Sequence, residues 1–231
     1  MVQSELLVEY RQTWAHCLMT MLSVLPVGLF LFAIIALECP YIYAVLFALC
    51  CAAIMALLGF NAFKLRVLLY PDKVVMRSLF GTQSLRLNAK TEFYYYHLHP
   101  TLHGMWIKQP YMMLKYGKRS FTFDSSIYNV ESLRDVLLEL EQFYQKPATE
   151  TAILKGRSIF FGEVKVSSTG LSYKNQVLAF SDLKDCSLQK GYLNVKKQAQ
   201  QQAFLSIPMR KIPNMKTFFA VLDYYMERKA S

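Results

Sequence analysis

Charge is missing from two long stretches of this chain. No Asp, Glu, Lys or Arg occurs from Cys17 to Leu37, a run of 21 residues, or from Tyr41 to Phe63, a run of 23. A helix of ~20 residues at ~1.5 Å of rise each spans a hydrocarbon core of ~30 Å. Only Glu38, Cys39 and Pro40 separate the two runs. Uncharged surface of that extent predicts a hairpin of two transmembrane helices. Basic residues are equally scarce ahead of the runs, where Arg11 stands against Glu5 and Glu9. A cleaved signal peptide needs a positive start and an apolar core of only ~7–15 residues. The anchor is therefore expected to be retained.

Other absences narrow the chemistry. Glycine is sparse, nine residues, and nowhere clustered, so no phosphate-cradling loop is present. There is no G-x-S-x-G nucleophile elbow and no paired carboxylates at a plausible site. Asp182 and Asp185 flank Leu183-Lys184 and read as a turn between strands. Of five cysteines, Cys17, Cys50 and Cys51 sit in or at the apolar runs, and none has metal-ligand spacing. Neither a disulfide framework nor a zinc site is expected. No catalytic residues and no metal ligands are assigned, and the chain is read as not an enzyme. No cofactor is expected and no small-molecule substrate is identified.

What is present is a strong positive balance after the runs. Residues 1–63 carry one basic and three acidic side chains, and residues 64–231 carry 25 and 13, a balance of +12. Lys64, Arg66, Lys73 and Arg77 open the second part, so the positive-inside rule places both termini in the cytoplasm. A body of that charge is attracted to an anionic leaflet. Candidate contacts with anionic lipid or a partner are Lys64, Arg66, Lys115, Lys118, Arg119, Lys196, Lys197, Arg210 and Lys211. In the second run Ala44, Ala48, Ala52 and Ala56 recur every four residues, a candidate transmembrane packing ridge.

Residues 91–106, "TEFYYYHLHPTLHGMW", hold three consecutive tyrosines and His97, His99 and His103. Pro100 interrupts the histidines and no Cys or carboxylate lies close by, so a metal site is not the preferred reading. The stretch contains no Lys or Arg, and single-strand nucleic-acid platforms interleave cations with aromatics. No nucleic acid is expected. The stretch reads as a strand and loop, with Tyr96, His103 and Trp106 as a candidate aromatic interaction patch.

Local patterning divides the chain. Residues 1–16 place Val2, Leu6, Tyr10 and Trp14 four apart, the stripe of an interfacial helix. Residues 17–37 and 41–63 are the two spans, joined by a short outer loop at 38–40. From residue 64 short apolar runs alternate with turn residues such as Pro71-Asp72, Gly81-Thr82 and Gly117-Lys118, the pattern of hairpin-linked strands. A helix follows Asn129, with Leu133, Leu137, Leu140 and Tyr144 as its stripe. Residues 147–153 read as a linker because Pro147 does not continue a helix well. The same order then recurs over 154–231, strands first and a helix at 214–228 last. Asn129-Val130-Glu131-Ser132-Leu133 aligns with Asn214-Met215-Lys216-Thr217-Phe218, and "LFGTQSLRLN" at 79–88 is similar to "SYKNQVLAFS" at 172–181.

Seven or so short strands followed by one amphipathic helix is the order of a pleckstrin-homology-like (PH-like) domain. Residues 67–93, "VLLYPDKVVMRSLFGTQSLRLNAKTEF", resemble the opening strands of bacterial membrane-anchored tandem PH-like proteins of uncharacterised function. "GEVKVSSTGLSYKNQVLAFSDLKD" at 162–185 resembles a bacterial family with the same fold. The resemblance implies two PH-like domains, 64–146 and 154–231, each an antiparallel β-barrel or sandwich capped by a C-terminal α-helix. It brings no catalytic residues. The basic cluster that eukaryotic lipid-binding members carry in the first hairpin is reduced here to scattered Lys73, Arg77 and Arg86. Taken together, the expectation is a transmembrane hairpin plus an α+β cytoplasmic region at a bacterial inner membrane. Its function is expected to be that of a scaffold or interaction module for a protein partner or self-association. Anionic-lipid sensing or lipid handling is the alternative, with membrane lipids as further partners.

Overall fold

Alternation of Val8 and Tyr10 with Glu9 and Arg11 begins the fold as a strand. The computed structural model of the chain describes residues 5–22, 25–38, 41–98, 101–102, 105–106, 109–198 and 202–230. Two compact units form, one of residues 1–84 with 126–129 and one of residues 85–125 with 130–231.

In the first unit β1 (Val8–Arg11) pairs antiparallel with β2 (Arg66–Leu69), Tyr10 facing Val67. β3 (Lys73–Ser78) and β4 (Gly81–Arg86) complete a sheet of order β1-β2-β3-β4. The interfacial helix expected over 1–16 is corrected here. The period of two at Val8 and Tyr10 suits a sheet with one buried face, and pairing with β2 supplies the backbone hydrogen bonds. Gln12 bridges to Ile127, and Thr13 N–H donates to Ser126 C=O at 2.7 Å, which ties residues 126–129 to this unit.

Between β1 and β2 run α1 (Trp14–Leu22), α2 (Leu25–Glu38) and α3 (Tyr41–Lys64). The transmembrane hairpin expected at 17–37 and 41–63 is not found. Among the described residues one helix, α3, is long and apolar enough to cross a membrane, over Tyr41–Asn61 with mean hydropathy 2.5. The first run is divided between α1 and α2, and Leu25–Ile35 is only a short apolar helix. Pro26 takes the second position of α2, a first-turn position where its missing N–H is not needed. Both α1 and α2 pack on α3, and Gly28 leaves room for Cys51 Sγ, which would lie 3.4 Å from a Cβ at position 28. Of the alanine ridge only Ala44 is buried, and Ala48, Ala52 and Ala56 are exposed. Asn61 Oδ1 accepts Leu79 N–H at 3.1 Å, fastening the end of α3 to the β3–β4 turn.

The second unit holds the rest. β5 (Glu92–Leu98), β8 (Gln109–Tyr116) and β9 (Arg119–Asp124) form one sheet, and β6 (Thr101–Leu102) pairs with β7 (Met105–Trp106). After α4 (Val130–Leu154) come β10 (Ile159–Phe161), β11 (Val164–Val166), β12 (Gly170–Tyr173) and β13 (Gln176–Ala179) as a four-stranded meander. β14 (Leu183–Gln189), β15 (Tyr192–Lys197) and β16 (Ala203–Pro208) make a three-stranded sheet, and α5 (Met215–Ala230) ends the unit. The two capped PH-like barrels are thus also overturned. The described strands lie in five separate antiparallel sheets, none closing on itself. β2 to β4 group with the N-terminal helices, and β5, β8, β9 and α4 group with residues 154–231.

The residues read as a linker, 147–153, are the last turns of α4. Pro147 removes one helical hydrogen bond without ending the helix, because Ile153 beyond it packs on the apolar core formed by Phe161, Leu171, Leu193, Phe218 and Leu222. The expected stripe of α4 is also shifted. Its buried residues are Leu133, Leu137, Glu141 and Gln145, spaced four apart. Asn129 and Asn214, aligned in the internal repeat, both adopt left-handed backbone (φ 57° and 54°) directly before α4 and α5. Asparagine tolerates that conformation better than most residues.

Asn214 does more than turn the chain. Its N–H donates to Phe93 C=O at 2.6 Å, and its Oδ1 accepts Phe93 N–H at 2.9 Å. This reciprocal pair ties the start of α5 to β5. Replacing Asn214 by Ala leaves a part-buried N–H without its acceptor and strains the left-handed position. The expected loss is roughly 2–4 kcal/mol of stability. Asn214→Asp, which keeps an acceptor, should lose clearly less. Denaturant unfolding of both variants in the same detergent checks the order.

Candidate functional site

Three elements of the second unit enclose a cleft of about 520 Å³: the β5–β8 pair, α4, and the turn between β14 and β15. Register builds its aromatic wall. Tyr96 on β5 lies directly across from Tyr111 on β8, with ring centroids 4.8 Å apart. The two side chains share a hydrogen bond, and burial together with Tyr111 pushes the Tyr96 hydroxyl up to about 12. Met112, Met209 and Met215 add flexible, polarisable surface, and Leu138 and Leu188 add apolar surface. Tyr192, at the start of β15, is 45% exposed at the rim.

Two cations line the same cleft. Arg134 on α4 is engaged by Asp135 at 3.0 Å and by Glu131 one turn back. Lys190 is different. It occupies a two-residue hairpin turn with Gly191, both in left-handed backbone (φ 51° and 79°), the geometry that matches strand twist. No carboxylate pairs with Lys190 among the described residues. The turn therefore holds an uncompensated ammonium beside an aromatic and thioether wall. The field of Arg210 reaches the cleft as well, easing ionisation of Tyr96 against its burial.

Behind the wall lies a buried polar junction. Glu141 Oε1 accepts both Thr217 N–H at 2.8 Å and Thr217 Oγ1–H at 2.9 Å, capping the first turn of α5 from α4. One turn on, Gln145 Nε2 donates to Thr91 C=O at 2.8 Å, just ahead of β5. Glu141 Oε2 and the Tyr95 hydroxyl are buried with no hydrogen-bond partner among the described residues. Desolvation raises the Glu141 carboxyl to about 7 despite the Thr217 bonds and the Lys216 charge. Burial first, and then the Glu141 charge, pushes Tyr95 well up.

The residues singled out from sequence are scattered. Tyr96 is in the cleft wall, Trp106 is in β7 opposite Thr101, and His103 lies outside the described residues. Arg66 pairs with Glu9 at 3.3 Å, Lys115 with Glu92 at 3.4 Å, Lys197 with Asp182 at 3.1 Å and Lys211 with Glu163 at 2.6 Å. Lys64 lies over the Phe60 ring at 5.3 Å. Lys118 and Arg119 are exposed at the β8–β9 turn, Lys196 is half-buried and Arg210 exposed. Lys190, Arg134, Tyr111, Tyr192 and Glu141 went unread. The hairpin dipeptide Lys190-Gly191, and the continuation of the Leu133–Leu137 spacing to Glu141, were the available signals.

A family profile described as "Family of unknown function (DUF6585)" matches residues 2–231. The chain belongs to this family. No curated protein and no solved structure matches the chain. For this DUF6585 chain the residues themselves therefore carry the argument about function. Among them, no three His, Cys, Asp or Glu side chains of the described residues come together as metal ligands would.

The Glu141 carboxyl generates a signed pH dependence. Its folded value of about 7 exceeds the ordinary 4.5, so the folded state binds the proton more tightly. The associated stability is full below pH ~4.5 and is lost as pH rises through ~7, a change of about 3 kcal/mol. Glu141→Gln should remove this slope and be the more stable form above pH 7. Unfolding midpoints of both proteins at pH 5, 6, 7 and 8 check it, and parallel curves would contradict it.

Proposed function

We propose that this chain is a membrane-anchored binding protein, not an enzyme, whose cleft takes one amphipathic molecule bearing an anionic group. The observation that carries the reading is the unpaired Lys190 ammonium beside the wall of Tyr96, Tyr111, Met112, Met209 and Met215. The volume, about 520 Å³, falls in the ~300–1,000 Å³ range of small-molecule sites. Mostly apolar lining with a few polar groups is how such sites bury a ligand body and orient its head. Lys190 and Arg134 suit a carboxylate or phosphate, and the aromatic and thioether surface suits an acyl chain.

Anchoring is assigned to α3, whose window Tyr41–Asn61 is only 11% buried within the protein and so presents its apolar surface outward. The +12 balance of residues 64–231 draws the rest of the chain toward an anionic leaflet, where such ligands reside. Lipid handling is favoured over the scaffold reading because a scaffold has no use for a recessed cavity with an uncompensated cation.

Titration of the full chain in uncharged detergent with a fluorescent anthroyloxy-stearate tests the proposal, with the methyl ester of the same probe as the neutral arm. The expected result is saturable binding of one acid per chain. Lys190→Asn, which keeps a residue tolerant of the turn, should weaken binding about tenfold, the scale of one ~1.4 kcal/mol interaction. Tyr111→Ala should weaken acid and ester alike. Equal binding of acid and ester, with no effect of Lys190→Asn, would sink the idea.

A further inference from the structure

The β10–β13 meander has two unlike faces. Inward, Ile159, Phe161, Val164, Val166 and Leu171 join the core. Outward, one row crosses all four strands in direct register: Phe160 faces Lys165, Lys165 faces Ser172, and Ser172 faces Val177. The solvent face of an antiparallel sheet is ordinarily polar, yet Phe160 is 68% and Val177 72% exposed. Lys165 Nζ stands 5.9 Å from the Phe160 ring. At the β12–β13 turn Lys174 holds left-handed backbone (φ 53°) and stands 5.4 Å from the Tyr173 ring.

Charge on this segment is mostly positive. Residues 155–180 contain Lys155, Arg157, Lys165 and Lys174 against the single carboxylate Glu163. Glu163 is bonded to Lys211 Nζ at 2.6 Å, with the Lys174 charge lowering its proton affinity further. Lys165 has no carboxylate partner among the described residues. Exposed apolar ends flanked by cations match a lipid surface, where rings and aliphatic stems enter the headgroup boundary and ammonium groups meet phosphates. A protein partner fits less well. Four strands at ~4.8 Å spacing, each about four residues of ~3.3 Å long, make a face of roughly 14 Å by 13 Å, under ~200 Å² and far short of the ~800 Å² per side of a stable interface.

We propose that the outer face of the β10–β13 sheet docks on an anionic lipid surface through Phe160, Val177, Lys165 and Lys174. Phe160 and Val177 enter the boundary between headgroups and acyl chains, and the two lysines contact lipid phosphates. This surface is separate from the cleft and does not require it to hold a ligand.

The test uses the full chain in nanodiscs of phosphatidylcholine, with and without phosphatidylglycerol. Phe160→Trp reports its surroundings, and the wild-type protein, with Trp14 and Trp106, supplies the background. In discs containing phosphatidylglycerol, the added emission should be blue-shifted and quenched by lipids brominated high on the acyl chain. Lys165→Gln with Lys174→Gln should at least halve that quenching, and Lys190→Asn should leave it unchanged. Val177→Trp repeats the measurement at the other end of the row should the first variant misfold. Unquenched emission at both positions, equal quenching in discs without phosphatidylglycerol, or burial against a protein instead of lipid would each overturn the proposal.

Discussion

A carboxylate taken out of water must find donors, and in the second unit Glu141 finds both of them on Thr217. That choice places the N-terminus of α5 against the fourth turn of α4. The helix end gains an acceptor for an otherwise unpartnered N–H, and the carboxylate gains two hydrogen bonds. Gln145 extends the same seam to Thr91, and Asn214 closes it onto Phe93. Three polar side chains thereby hold β5, α4 and α5 in one arrangement. Met215, Leu138, Tyr95 and Tyr96, which line the cleft, come from these same elements. The cleft exists because the seam exists.

The seam is incomplete. Glu141 Oε2 and Tyr95 Oη remain buried without partners among the described residues, and burial keeps the carboxyl near neutrality. A protonated Glu141 becomes a donor as well as an acceptor, so the junction is better satisfied in acid than in base. Buried polar groups of this kind favour one arrangement of helices over its competitors even where an apolar substitute would pack as well.

Apolar surface outside the cores follows a different logic. α3 exposes Ile42, Leu46, Leu49, Leu57 and Phe60 along one face. Its neighbour α2 is also apolar and carries Pro26 in its first turn. The pairing of β1 with β2 means that the chain leaves one sheet for these helices and returns to the same sheet. Composition alone is silent on that return, because nothing in an apolar run states where the strands on either side of it meet.

Much of the local structure was legible in the residues. Period-two alternation and turn dipeptides located most strands after residue 64, and Asn129 and Asn214 marked two helix starts, both in left-handed backbone. Residues 1–16 misled because Leu6, Tyr10 and Trp14 fit a helical stripe while Val8 and Tyr10 fit a strand equally, and only the partner strand β2 separates the two. Pro147 misled because its local cost is outweighed by the packing of Ile153 beyond it. The division into two barrels failed for a related reason. Sequence order suggested that strands close on their neighbours, but the long-range bonds of Asn214 and Glu141 join residues 121 and 76 positions apart. By itself the sequence determined composition, periodicity and the intrinsic preference of each segment, since these depend on near neighbours. Tertiary structure alone decided which segments share a core, which cation stands unpaired and where the cleft opens, since desolvation and hydrogen bonding are settled between residues far apart in the chain.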